Sequence, residues 1–444
     1  MISRRRILLG AGGLALPSLS YFSQIQDARA ADYRALVVVF LDGGNDQNNT
    51  LVPTDGAYAD YAKSRTDVLA ISKDSLLSLP GKTAEHTFGF HPALVELRSM
   101  YLEKRLALLS NVGALVEPST RDLVLSNQVR LPVGLGSHND QAGFVQGAVL
   151  DTTGWGGRGL EALDSSFRHP VSAVAVSNHR TLVQGKVTPV SMLSDSAGFG
   201  NTDLLNGQAS MTQRLNRLSR LQSSNVYEQS YIDTLKQAME DAVVFGKVAK
   251  LGRNSSLDFG STPEAGTLRL LSKMLPGFRE YGLKRQIFLI NWGGFDHHTK
   301  QRGGGSNSHD SLLSRVSKAV GAFDATNKAN GMNESVLTLV ASEFGRTLRP
   351  GSGEGTEHGW AGLWMAFGGM VDGGKVHGYF PSLVAGGIDD GDKSGSGRFV
   401  PTNSTDQVAA TALQWMGLQP SRLVDVFPFL ANFPNKTMDY LLAQ

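Results

Sequence analysis

The chain has 444 residues, with 42 basic against 40 acidic side chains and no cysteine. That length can bury a large core, and a balanced charge without long single-sign runs argues against a nucleic-acid partner or a membrane-surface tail. The lack of cysteine excludes disulfides, thiolate metal sites, a cysteine nucleophile and a formylglycine made from cysteine.

Residues 1–30 read as an address. Ser3-Arg4-Arg5-Arg6-Ile7-Leu8 matches the twin-arginine pattern, a short Gly-rich apolar run follows, and Ala28-Arg29-Ala30 offers a small-x-small cleavage site. The expected partner is the twin-arginine export machinery, and the expected location is the periplasm. The apolar run is too short to span a bilayer, and no later stretch approaches about eighteen continuous apolar residues, so the mature chain is expected to make no stable membrane insertion.

Residues 33–40 carry the β-branched apolar run of a central buried strand, ending in the polar turn Asp42-Gly43-Gly44-Asn45-Asp46. Residues 57–85 show no strong period. A helix is expected over 91–103, with Pro92 in its first turn, and a second strand over 106–109. A polar stretch holding Ser137-His138 follows, then an apolar segment at 171–176. Residues 204–251 are proline-free and rich in Gln, Leu, Lys, Arg and Glu, which predicts a helical insertion.

Ile287-Phe-Leu-Ile290 is the next buried strand, and Gly293-Gly294 turns the chain into Asp296-His297-His298. A helix over 309–327, a strand over 335–340 ending in Ser342-Glu343-Phe344-Gly345-Arg346, and a Gly-rich loop with Glu357-His358 complete the series. Ser404 starts a last helix that stops at Gly417. Alternating strands and helices predict an α/β fold, with a mostly parallel central sheet flanked by helices. In such sheets ligands sit beyond the carboxyl ends of the strands, where these polar turns fall.

On these motifs, together with Asn49 and Gly355-Thr356-Glu357-His358-Gly359, the chain resembles the bacterial exported family called domain of unknown function 1501. The resemblance covers nearly the whole mature chain. It implies a fold similar to the alkaline phosphatase and sulfatase superfamily, whose members hydrolyse phosphate or sulfate esters with divalent metals bound at strand ends. The sequence departs from the pattern at Phe295 and His297, at Glu357, and at Glu343-Phe344, where the superfamily carries Asp-His.

Each candidate has two readings. Asp46 is either a first-strand metal ligand or an Asx residue bonded to its own turn. Asp296 and His298, two apart, project to one side of an extended segment and suit one metal, or else belong to an exposed polar loop. Glu343 ends a buried strand and needs a cation, either a metal or Arg346. In the first case Arg346 is free to clamp an anionic ester oxygen. His358 is a ligand or a surface histidine, and Asn49 is a substrate contact or a support behind the ligands. Ser137 is the candidate nucleophile, with His138 as a ligand or general acid; otherwise water attacks.

The expected function is an exported hydrolase of a small anionic ester, either a phosphate or a sulfate. It would use zinc, manganese or calcium held by Asp46, Asp296, His298, Glu343 and His358. The alternative is a non-catalytic periplasmic binding or assembly protein that keeps the fold.

Overall fold

A computed structural model of the protein describes residues 32–148, 151–176, 179–193 and 209–442. The twin-arginine segment and residues 204–208 of the expected insertion lie outside the described residues. The centre of the fold is β1 (Arg34–Leu41), whose seven residues from Ala35 on are all buried. It pairs in parallel with both of its neighbours, β5 (Arg285–Trp292) and β6 (Val336–Ala341). Around these three lie β2 (Leu106–Gly113), β3 (Ala173–Ala175), β4 (Val190–Met192), β7 (Gly362–Phe367), β8 (Lys375–His377) and β9 (Asn403–Ser404). The sheet has nine strands in the order β8-β2-β7-β6-β1-β5-β3-β4, with β9 on β2. Strand β7 runs antiparallel to both β2 and β6, and every other pairing is parallel.

Burial on both faces explains why the strands read as continuous apolar runs rather than alternating ones. Val37 and Val39 point into one core, with Phe288 and Ile290, while Leu36, Val38 and Phe40 point into the other, with Ile287 and Leu289. Helix α7 (Pro263–Tyr281) and helix α8 (His309–Ala329) cover the first face through Leu268, Leu271, Val316 and Phe323; α9 (Thr405–Trp415) covers the second. The Ser404 cap agrees with the sequence reading, and two more helices carry side-chain caps. Thr262 caps α7, Ser308 caps α8, and Ser404 forms a full capping box with Gln407.

Two differences from the sequence reading concern helices. The helix expected from residue 91 begins only at Val95, as α3 (Val95–Leu102); the His91 side chain instead accepts from the N–H of Ala93 and meets Asp310. The 57–85 segment, without a visible period, holds α2 (Tyr58–Leu69), kinked at Thr66, and from it the buried Arg65 reaches the polar turn after β1. The insertion region holds α5 (Ala209–Leu218) and α6 (Val226–Leu251), and α6 packs on α7. Among the described residues, no helix is long and apolar enough to cross a membrane.

Candidate metal centre

Because β1 pairs with β5 and β6, the three polar turns after Leu41, Trp292 and Ala341 leave the sheet side by side. They are packed too tightly for side chains between them. Gly43 has φ +114°, and a Cβ there would lie 2.4 Å from the N of Asp296. The fourth segment of the site is the 353–358 loop, laid across His297 and His298; a Cβ on Gly355 would lie 2.3 Å from the carbonyl carbon of His298. His138 arrives from outside the sheet as the first residue of α4 (His138–Val145), capped by Ser137.

The side chains converge on one atom. Asp296 Oδ1 lies 3.0 Å from His298 Nε2, 3.3 Å from His138 Nε2 and 3.4 Å from His358 Nε2. The two nitrogens His298 Nε2 and His358 Nε2 are 3.0 Å apart. His138, Asp296 and His358 each place one ligand atom within 4.8 Å of the others. The Asp296 side chain is 48% exposed, so the cluster opens to solvent.

Each imidazole is held from behind at Nδ1. His138 Nδ1 donates to Glu343 Oε1 at 2.7 Å, and His358 Nδ1 donates to the Gly136 carbonyl at 2.6 Å. His298 Nδ1 lies 3.0 Å from Glu357 Oε2. An acceptor at Nδ1 fixes the proton there and leaves the Nε2 lone pair facing Asp296. The Phe344 ring packs on both His138 and His358, with centroids 4.8 and 5.0 Å away. Thus the position where the superfamily pattern has a histidine carries the surface against which two other imidazoles are oriented.

Charge follows the same geometry. The hydrogen bond from His138 to Glu343 raises the imidazole pKa above its ordinary value, against the effect of burial. Burial lowers that of His358. Partial burial of Asp296 works toward a higher pKa, but the hydrogen bond and charge of Arg346 overcome it and pull the carboxyl down to about 2.

Four residues expected at the metal or the substrate are held elsewhere. Arg346, 1% exposed, does not face the opening; its guanidinium donates to the carbonyls of Gly43, Gly44, Phe295 and Thr356 and to Asp296. It is a buried anchor for Asp296, with no exposed donor to clamp a substrate. Glu343 accepts from the N–H of Gly43, from Ser342 Oγ and from His138, so it supports a histidine rather than offering its oxygens to an ion. Asp46 caps α1 (Gln47–Thr50) and is bound by Arg65 and Gln301, and it is not among the residues gathered at the cluster. Asn49 is fully buried, accepting from Tyr61 and Arg65 and donating to the Leu69 carbonyl, and has no path to a substrate.

Ser137 Oγ accepts from the N–H of Asp140 as the cap of α4, and among the described residues no histidine or carboxylate accepts its proton. Nothing in the geometry activates it as a nucleophile. His297 turns away from the cluster toward the carbonyls of Phe295 and Asn307. The residues missed in the sequence were Gly136, whose carbonyl orients His358, and Arg65. A main-chain acceptor leaves no residue-type signal.

The family described as "Protein of unknown function (DUF1501)" matches residues 33–426. By structure the chain is similar to the PsFucS1 sulfatase from Pseudoalteromonas sp., at 11% identity over 90% of this chain and 71% of that one, with a TM-score of 0.33. It is also similar to Ps i-CgsB, solved in complex with k-i-k-neocarrahexaose, at 11% identity over 87% and 72%, with a TM-score of 0.35. No curated protein matches the chain by sequence.

Proposed function

We propose that this chain, which belongs to the DUF1501 family, is an exported metal-dependent hydrolase of a phosphate or sulfate ester, with His138, Asp296 and His358 holding the cation and His298 completing its surroundings. The observation that carries the reading is the arrangement of lone pairs. With Nδ1 of each ring committed to an oxygen, three Nε2 atoms surround one carboxylate oxygen at 3.0–3.4 Å, and two of them lie 3.0 Å apart. A shared proton relieves the His298–His358 pair, but His138 Nε2 is buried and has no hydrogen-bond partner. A divalent cation would satisfy His138, Asp296 and His358 together. Donors about 2.0–2.1 Å from one zinc ion stand roughly 3.3 Å apart, close to the spacing found here.

The donor set of imidazole nitrogens and one carboxylate suits zinc best, and the carboxylate and carbonyl acceptors behind the rings are the usual supports of metal-bound histidines. A cation bound there supplies Lewis acidity toward an ester oxygen. The chain's own residues do the rest. Glu343 and the Gly136 carbonyl hold two rings in one tautomer, Arg346 keeps Asp296 ionised and in place, and solvent water rather than Ser137 is the attacking group. The twin-arginine segment supports export of the folded protein to the periplasm.

The test is metal content and turnover measured together. Zinc-loaded protein should carry stoichiometric metal by elemental analysis and hydrolyse 4-nitrophenyl phosphate or sulfate, and Asp296→Asn should lose both. Folded protein that takes up no zinc, manganese or calcium sinks the proposal. Metal uptake without hydrolysis of any ester leaves the non-catalytic binding protein as the reading.

A further inference from the structure

The burial of Arg346 leaves the proposed centre without the cation that was expected to meet an anionic substrate. Another guanidinium stands at the His358 segment. Arg398 Nε donates to the His358 carbonyl at 2.9 Å. Its side chain is 44% exposed, and Nη1 lies 3.8 Å from Asp392 Oδ2, beyond hydrogen-bond reach. The half-exposed guanidinium thus faces Asp392 as an ion pair without a hydrogen bond, and no hydrogen bond from its Nη atoms is found among the described residues, beside a residue whose ring belongs to the cluster.

The loop that carries Arg398 is built to hold it there. Asp390 is fully buried and accepts from four backbone N–H groups, those of Gly386, Asp392, Gly397 and Arg398, at 2.8–3.0 Å. The following backbone then pairs with both sides of the site hairpin: Leu348 N–H with the Gly397 carbonyl, Arg349 N–H with that of Ser396, and Ala361 N–H with that of Phe399. A buried carboxylate with every oxygen committed fixes the loop, and the loop fixes the stem of Arg398. Lys300, two residues after His298, is exposed but has no comparable anchor for its amine among the described contacts.

We infer that Arg398 is an anion-binding residue of this site, its Nη groups contacting the oxygens of the phosphate or sulfate whose ester lies at the His138–Asp296–His358 centre. The inference rests on the metal reading above and goes beyond it by naming the group that selects a tetrahedral oxyanion. A planar fork gives two parallel hydrogen bonds to such an anion, which an ammonium does not reproduce.

The experiment uses zinc-loaded full-length protein and inorganic phosphate as the probe, followed by isothermal titration calorimetry. Arg398→Ala should weaken phosphate binding at least tenfold with zinc content and melting temperature unchanged. Arg398→Lys should fall between the two, and Lys300→Ala should bind as the parent does. Arg398→Met, which keeps the aliphatic stem, replaces the alanine variant if that one loses its melting transition. Zinc-loaded Arg398 variants that bind phosphate as tightly as the parent overturn the inference while leaving the metal reading standing. A zinc-loaded parent that binds no phosphate overturns it too. A parent that takes up no zinc overturns the metal reading, and the subsite with it.

Discussion

His138 Nδ1 stands 2.7 Å from Glu343 Oε1, and the carboxylate behind it is completely buried. Glu343 also takes the N–H of Gly43, and the Ser342 hydroxyl is shared between Glu343 and the Leu41 carbonyl. The imidazole is thereby tied to the ends of β1 and β6 at once. A ring fixed to two neighbouring strands presents Nε2 at a position set by the sheet, although its own helix lies outside it.

Glu343→Gln should therefore weaken zinc binding by about 10–100-fold, the usual cost of losing a support behind a metal-bound histidine. Competition against a chromophoric chelator measures it. An unchanged affinity would show that the ring holds its orientation without the carboxylate.

Asp46 and Arg65 form a buried pair at the turn after β1. Removing one partner leaves an uncompensated buried charge, so Arg65→Met should destabilise the fold by about 3–5 kcal/mol in urea titrations. Asp46→Asn/Arg65→Met should recover most of that loss. Folded Asp46→Asn should still bind zinc stoichiometrically, whereas loss of zinc would restore Asp46 as a ligand.

The contrast between Asp46 and Asp296 shows what a sequence reveals about such a site. Both follow a buried strand and a glycine turn, so both read as strand-end carboxylates, and the parallel neighbours of β1 bring their turns together. The cation that claims each is invisible. Arg65 comes from α2, in a stretch with no apolar period, and Arg346 was visible only as a charge near Glu343. Phe344 looked like a missing ligand because its packing on two imidazoles needs coordinates. The strands were legible since two-sided burial leaves unbroken apolar runs. The late start of α3 was not, because His91 bonds its own backbone and Asp310 instead of joining a helix.

Asp406, in the first turn of α9, supplies a pH dependence away from the metal centre. Burial raises its pKa from 3.8 to about 7, with Arg158 opposing. Between these values the folded protein binds the proton more tightly than the unfolded chain. The stability it confers is thus complete below about pH 4 and is lost as pH rises through about 7, with an upper bound of about 4 kcal/mol. Asp406→Asn should be more stable than the parent at pH 8 and no different near pH 4, as read by thermal melts across that range. Parallel curves for the two proteins would place the titration elsewhere.

Metal removal separates the cluster from the core. The strand ends are fixed by β1, β5 and β6 and by glycine-tight turns, so chelation should lower the melting temperature without unfolding the protein at room temperature. Zinc at a hundredfold excess over its Kd should stabilise by about 2.7 kcal/mol. The informative variant is His358→Ala. Its ionic neighbour Asp296 is 48% exposed and already paired with Arg346, so the zinc-free variant should melt near the zinc-free parent, yet it should lose the zinc-dependent shift. Asp296→Ala is less clean, because it also strips the carboxylate from the buried Arg346. If His358→Ala keeps the full shift, the ion is not held by the three donors gathered here, and the lone pairs facing Asp296 need another explanation.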